Sequence, residues 1–226
     1  MQGIGGPPAK ALRTPRAAGA AGILAALPLG GTMILVRRAL PAHPISEAAY
    51  LADTAGHHAL RVALILLPFG GIFFLWFMGA VRDSIGARED RFFTTVFLGA
   101  GLLFVAMLFV FGAAADAFLA TIDTIRDPSQ PIAFWPYGRH LTLVLMTEYA
   151  PRMAAVFTLT TTTIATRLGL FPRWLSWLGY VVGLVLLLVV SSVAWSEVIF
   201  PVWVLIVGCF LIAAHSRMIS ANLPNK

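Results

Sequence analysis

Four stretches of this chain, Ala17 to Val36, Val62 to Val81, Phe92 to Ala115 and Trp174 to Trp195, run for 20 to 24 residues without one charged side chain. A helix that crosses a bilayer needs about 20 predominantly apolar residues rising 1.5 Å each. Strands of a membrane barrel would be about ten residues long with alternating polarity, and these runs are twice that and apolar throughout. Two further stretches meet the length requirement with a qualification. Leu141 to Thr166 contains Glu148 and Arg152, and Val198 to Ala214 is slightly short but is flanked by Trp195 and His215, which suit an interface. The expectation is an all-α polytopic membrane bundle of six transmembrane helices in a single domain, with spans at about 17–36, 62–81, 92–115, 141–166, 174–195 and 198–214.

Composition agrees. Of 226 residues 59% are hydrophobic and 12% charged, with a mean hydropathy of +0.85, whereas a soluble domain is roughly a quarter charged. The net charge of +6 comes from bases dispersed as flanks of apolar segments. That pattern sets orientation and meets anionic headgroups; it lacks the clustered cations and exposed aromatic platforms of a nucleic-acid site. Lys10, Arg13 and Arg16 before the first apolar stretch resemble a signal peptide, but the stretch is too long for an h-region and is followed by Arg37 and Arg38. An uncleaved first helix is expected. The lone Cys209 allows neither an intrachain disulfide nor a multi-cysteine metal site.

With six spans, Lys10, Arg13, Arg16, Arg82, Arg88, Arg91, Arg167, Arg173, Arg217 and Lys226 fall on one side, and Arg37, Arg38, Arg61, Arg126 and Arg139 on the other. The excess of bases puts both termini in the cytoplasm, N-in and C-in, in the plasma (cytoplasmic) membrane. The larger connections then face outward. In one, Ser46 caps a predicted short helix over Glu47 to Ala52. The other carries Asp127-Pro128, Pro131 and Phe134-Trp135-Pro136-Tyr137, a turn-rich segment with aromatic anchors. Gly99, Gly101, Gly179 and Gly183 are expected to let helices approach closely.

Two stretches carry a resemblance. Gly70-Gly71-Ile72-Phe73-Phe74-Leu75-Trp76-Phe77-Met78-Gly79-Ala80-Val81-Arg82-Asp83, with Arg88-Glu89-Asp90-Arg91-Phe92-Phe93-Thr94-Thr95-Val96-Phe97-Leu98-Gly99 after it, resembles a group of uncharacterised small six-helix integral membrane proteins of bacteria, especially actinobacteria. Pro172-Arg173-Trp174-Leu175-Ser176-Trp177-Leu178-Gly179-Tyr180 looks like another stretch of that group. The resemblance implies the topology and brings no activity, cofactor or catalytic residue with it.

Glu148 and Arg152 carry the clearest chemical signal, because an ionisable group within a span costs several kcal/mol unless paired or hydrated. Their spacing of four puts them on one helical face, with the acid on the favourable N-terminal side. Counted from Leu141, Glu148 is expected about 10 Å deep. Pro28 and Pro68, each followed by Gly-Gly after one residue, fall at a similar depth and could frame a small polar cavity there. Thr162 and Thr166 lie on the same face beyond Arg152, and threonines can line a hydrated path or bond the carbonyl one turn back. The functional reading is a ligand or proton site at Glu148, Arg152, Pro28, Pro68 and Thr162; the structural one is an ion pair that locks the fourth helix.

At the outer interface His57, His58, Asp116 and His140 could supply a metal site, although no spacing fixes them on one face. No span holds a lysine for a Schiff base, a pair of histidines for haem, or the arginine ladder of a voltage sensor. Three classes of function follow: a small-ligand or proton-coupled binding or transport module, a non-catalytic membrane subunit or scaffold, and a metal-dependent enzyme acting on lipid at the outer interface. A transporter of this length would need a dimer; otherwise the expected partners are the lipid bilayer and other membrane subunits. The cofactor is unknown from sequence.

Overall fold

The computed structural model describes residues 14–41, 46–85, 91–124, 135–189 and 193–221. Lys10, Arg13, Arg88, Glu89, Asp90, Arg126, Asp127, Pro128, Pro131, Phe134 and Lys226, named above, lie outside them. Every regular element among the described residues is a helix: α1 (Thr14–Ala39), α2 (Glu47–Ala52), α3 (Thr54–Ile85), α4 (Arg91–Asp123), α5 (Trp135–Val144), a π turn (Leu145–Tyr149), α6 (Ala150–Arg167), α7 (Arg173–Leu188), a 3-10 turn (Ser196–Val198) and α8 (Ile199–Ala221). Among the described residues four stretches are long and apolar enough to cross a membrane: Ala17–Ala39, Thr54–Asp83, Phe92–Asp123 and Ser196–Ala214.

The local chemistry explains the helix ends. Ser46 caps α2 as expected, its hydroxyl accepting from the Ala49 N–H at 3.2 Å. Asp53 then starts α3 by accepting from the Gly56 N–H at 2.9 Å. Helices α3 and α4 overrun their expected spans, α3 at its start and α4 at its end, by about two turns. The reason is packing: Phe118, Leu119 and Ile122 remain buried beyond Ala115, so the apolar stripe of α4 continues. The segment read as a turn at Trp135-Pro136-Tyr137 instead opens α5, since proline in the first turn of a helix forfeits no hydrogen bond. Conversely the fifth span, expected to reach Trp195, closes as a helix at Leu188.

Helices α1, α3 and α8 form one packed group, and α4, α6 and α7 extend it. The α1–α3 register is antiparallel: Thr32 donates to the Ala63 carbonyl at 3.3 Å, and a Cβ on Gly70 would stand 2.8 Å from Leu29 Cδ2. The α1–α8 seam brings backbone against backbone, because a Cβ on Gly208 would meet the Gly19 carbonyl oxygen at 2.9 Å. Of the four glycines expected to serve close approach, Gly101, Gly179 and Gly183 do so, against Met78, Thr162 and Leu159, while Gly99 faces open space.

The centre is aromatic. Phe74, Phe97, Phe104, Phe157, Phe200 and Trp203, from α3, α4, α6 and α8, are each under 2% exposed, with neighbouring rings centred 4.8 to 5.7 Å apart across Phe74, Phe104, Phe157 and Phe200 except the Phe157–Phe200 pair at 6.3 Å. The segment from α5 through α6 runs beside α4 for its whole length. Trp135 at its start stacks near Phe118, rings 5.6 Å apart, and Arg167 at its end lies 4.4 Å from the Phe93 ring centre.

Candidate functional site

The Glu148–Arg152 pair forms. Arg152 Nη1 bonds the Glu148 carboxylate and also donates to the Glu148 carbonyl at 2.8 Å. Glu148 sits in a local widening of the helix, the π turn 145–149, and Arg152 in the first turn of α6 after it; Pro151 between them supplies a cause, since its ring would press on the carbonyl four residues back in a regular helix and it has no N–H to give. The pair is not buried in the bundle. The side chains are 34% and 38% exposed, on a lateral face.

The expected cavity is not assembled around them. The π turn packs chiefly on α4, α5 and α6, whereas Pro28 and Pro68 belong to α1 and α3. The glycines after those prolines bring side chains in, with Leu29 against Gly70 and Phe109 against Gly71. Thr162 likewise faces a neighbouring helix: it is fully buried and presses on Gly179, while Leu159 presses on Gly183 and Thr166 donates to Ser176 Oγ at 2.7 Å. The polar stripe of α6 is therefore its seam with α7.

Nor does the quartet of His57, His58, Asp116 and His140 gather. His57 is buried while His58, Asp116 and His140 are exposed, and among the described residues no three His, Cys, Asp or Glu side chains are placed to hold a metal ion.

His57 belongs to a different cluster. Tyr50, fully buried at the end of α2, has its ring centre 4.8 Å from that of His57, 4.7 Å from Trp135 and 5.8 Å from Phe118. Gly138 makes room for this: a Cβ there would stand 2.5 Å from Phe118 Cδ2. Inside the cluster the Tyr50 hydroxyl and His57 Nε2 are both buried and have no hydrogen-bond partner among the described residues. Such orphans are rare, because each forfeits its bonds to water. Burial, with Asp53 and Asp123 adding to it and Arg139 opposing, pushes the Tyr50 hydroxyl up to about 12, so at neutral pH it is a proton donor. Arg139 is drawn below the usual guanidinium range by burial, and donates to the Pro41 carbonyl at 2.6 Å. Beside the cluster, Arg61 holds both oxygens of Asp123 at 2.7 and 2.8 Å on the surface.

A third ionic contact joins residues far apart in the sequence. Arg37 Nε donates to Glu197 Oε1 at 2.6 Å, with side chains 6% and 0% exposed. It joins the C-terminal end of α1 to the start of the α8 segment. Trp195, with φ of 73°, turns the chain immediately before it. A bulky residue in the left-handed region is strained by about 1–3 kcal/mol and persists only where its surroundings hold it. Glu197 Oε2 has no partner among the described residues.

No family model, no characterised protein and no solved structure matches this chain.

Proposed function

We propose that the protein crosses the cytoplasmic membrane six times with both termini in the cytoplasm, and that it is a binding module for a small polar molecule held at its outer end by Tyr50 and His57, with Arg139 beside them. The carrying observation is the pair of buried, unpartnered polar atoms, Tyr50 Oη and His57 Nε2, in one aromatic cluster. A bound molecule that accepts from Tyr50 and pairs with His57 would remove both penalties, and the Arg139 cation favours one with negative charge. The aromatic centre of the bundle favours binding over conduction.

Helix lengths support the six spans. With the inner membrane edge at Arg167 and Phe93, Glu148 lies about 28 Å along the helix and Arg61 lies about 32 Å from Arg82, both near the outer edge of a hydrocarbon layer of about 30 Å. At that level a third-exposed ion pair meets headgroups and water, which suits its exposure better than a depth of 10 Å. Six spans put the α6–α7 connection inside; four spans leave it outside. In a Cys209→Ser background, a cysteine at the exposed Leu170 is expected to react with a membrane-impermeant maleimide only after the cells are permeabilised, whereas one at Thr124 reacts in intact cells. Labelling of position 170 in intact cells would reduce the count to four.

The binding reading is tested by native mass spectrometry of the protein purified in mild detergent. The wild type is expected to carry a reproducible small-molecule mass that Tyr50→Phe loses, while the variant's melting temperature, measured on stripped protein, is no lower than the wild type's. Removing an unpartnered buried hydroxyl relieves about 1–3 kcal/mol, so loss of the molecule without loss of stability separates binding from folding. A bare wild-type chain contradicts the reading.

The lateral Glu148–Arg152 pair favours a second reading, a membrane subunit that docks a partner helix there. Glu148→Gln is then expected to release a co-purifying protein that Tyr50→Phe retains, as seen in a pull-down from solubilised membranes.

A further inference from the structure

Beside the buried Arg37–Glu197 pair, the outer ends of α1 and α8 leave a shallow lateral groove of about 410 Å³ lined by Ile34, Arg38, Trp195, Val198, Ile199 and Val202. Five of the six are apolar. Arg38 is exposed, and the guanidinium one residue away, on Arg37, is already committed to Glu197. We propose that this groove is a binding site for one anionic phospholipid, its acyl chain against Ile34, Val198, Ile199 and Val202 and its phosphate on Arg38.

Three observations choose this occupant. The depth is right: Arg37 pairs with the start of the α8 segment at the end of the helix opposite the Gly19–Gly208 crossing, where a bilayer places its headgroups and where Trp195 finds its preferred interface. The shape is right, because the apolar wall opens to the side of the bundle, where acyl chains lie. The charge is right as well. Arg37 and Glu197 cancel, so Arg38 leaves the site with one net positive charge, which a phosphate neutralises through the forked geometry of a guanidinium. A zwitterionic headgroup brings a cation of its own, and the acid beside the groove is buried and paired. This site is separate from the Tyr50 cluster and stands without it.

The test is native mass spectrometry of the full chain exchanged into phosphatidylglycerol or phosphatidylcholine. The wild type is expected to retain one phosphatidylglycerol at least about tenfold more tightly than phosphatidylcholine, the scale of one charge-assisted contact. Arg38→Gln is expected to erase that preference while keeping weak binding of both lipids. Val202→Trp, which fills the groove and leaves Arg38 in place, is expected to lose both. Melting curves establish that each variant is folded, and the headgroup comparison on the wild type needs no variant. Equal retention of the two lipids by the wild type, an undiminished preference in a folded Arg38→Gln variant, or a second copy of the chain held there in place of lipid would overturn the proposal.

Discussion

Replacing Glu197 by glutamine is expected to cost about 3–5 kcal/mol of stability, the usual penalty for leaving one member of a buried ion pair without its counter-charge. The carboxylate is fully buried and its partner Arg37 is 6% exposed, so neither charge can turn to water when the other is removed. Position strengthens the pair: Arg37 stands in the last turn of α1, where the helix dipole favours a cation, and Glu197 precedes the first turn of α8, where it favours an anion. The same physics makes the pair replaceable. Desolvating two ions consumes most of their attraction, so the double variant Arg37→Leu with Glu197→Leu is expected within about 1 kcal/mol of the wild type or above it. Equilibrium unfolding of the two single variants and the double variant in one detergent measures this. A Glu197→Gln variant as stable as the wild type would mean that the pair is solvated.

Phe157→Ala is expected to cost a similar amount, about 3–5 kcal/mol, because its ring is fully buried and touches those of Phe74, Phe97 and Phe200. Its second consequence bears on function. Cavities lined by apolar side chains stay dry, and the walls left by this truncation are phenylalanines from α3, α4 and α8. The variant is therefore expected to lose thermal stability and to leave proteoliposomes as tight to protons as the wild type does, which a pH-sensitive dye in the lumen reports. A proton leak created by Phe157→Ala would show that the aromatic centre is a gate.

How much of this was legible beforehand depended on sequence separation. Apolar run lengths announce the helices because the bilayer leaves a chain few alternatives, and the Ser46 cap and the contact between Glu148 and Arg152 are local, decided within four residues. Pro151, three residues after Glu148, is likewise a local signal, for the π turn. The Arg37–Glu197 pair spans 160 positions, and a single sequence holds nothing that couples them; Arg37 reads as a flank, and nothing local marks Glu197 as its partner. His57 looks like its exposed neighbour His58 until Tyr50, Phe118 and Trp135 fold around it. The extension of α4 past Ala115 was present in the spacing of Phe118, Leu119 and Ile122, but a search for membrane spans stops where polar residues begin.

The most direct measurement of the binding reading is a density map of the detergent-purified protein at a resolution that shows ordered water, examined around Tyr50 and His57. A non-protein density within hydrogen-bonding distance of both Tyr50 Oη and His57 Nε2 is the expected result. A map in which each of those atoms bonds a protein group, with nothing lodged between them, would contradict it.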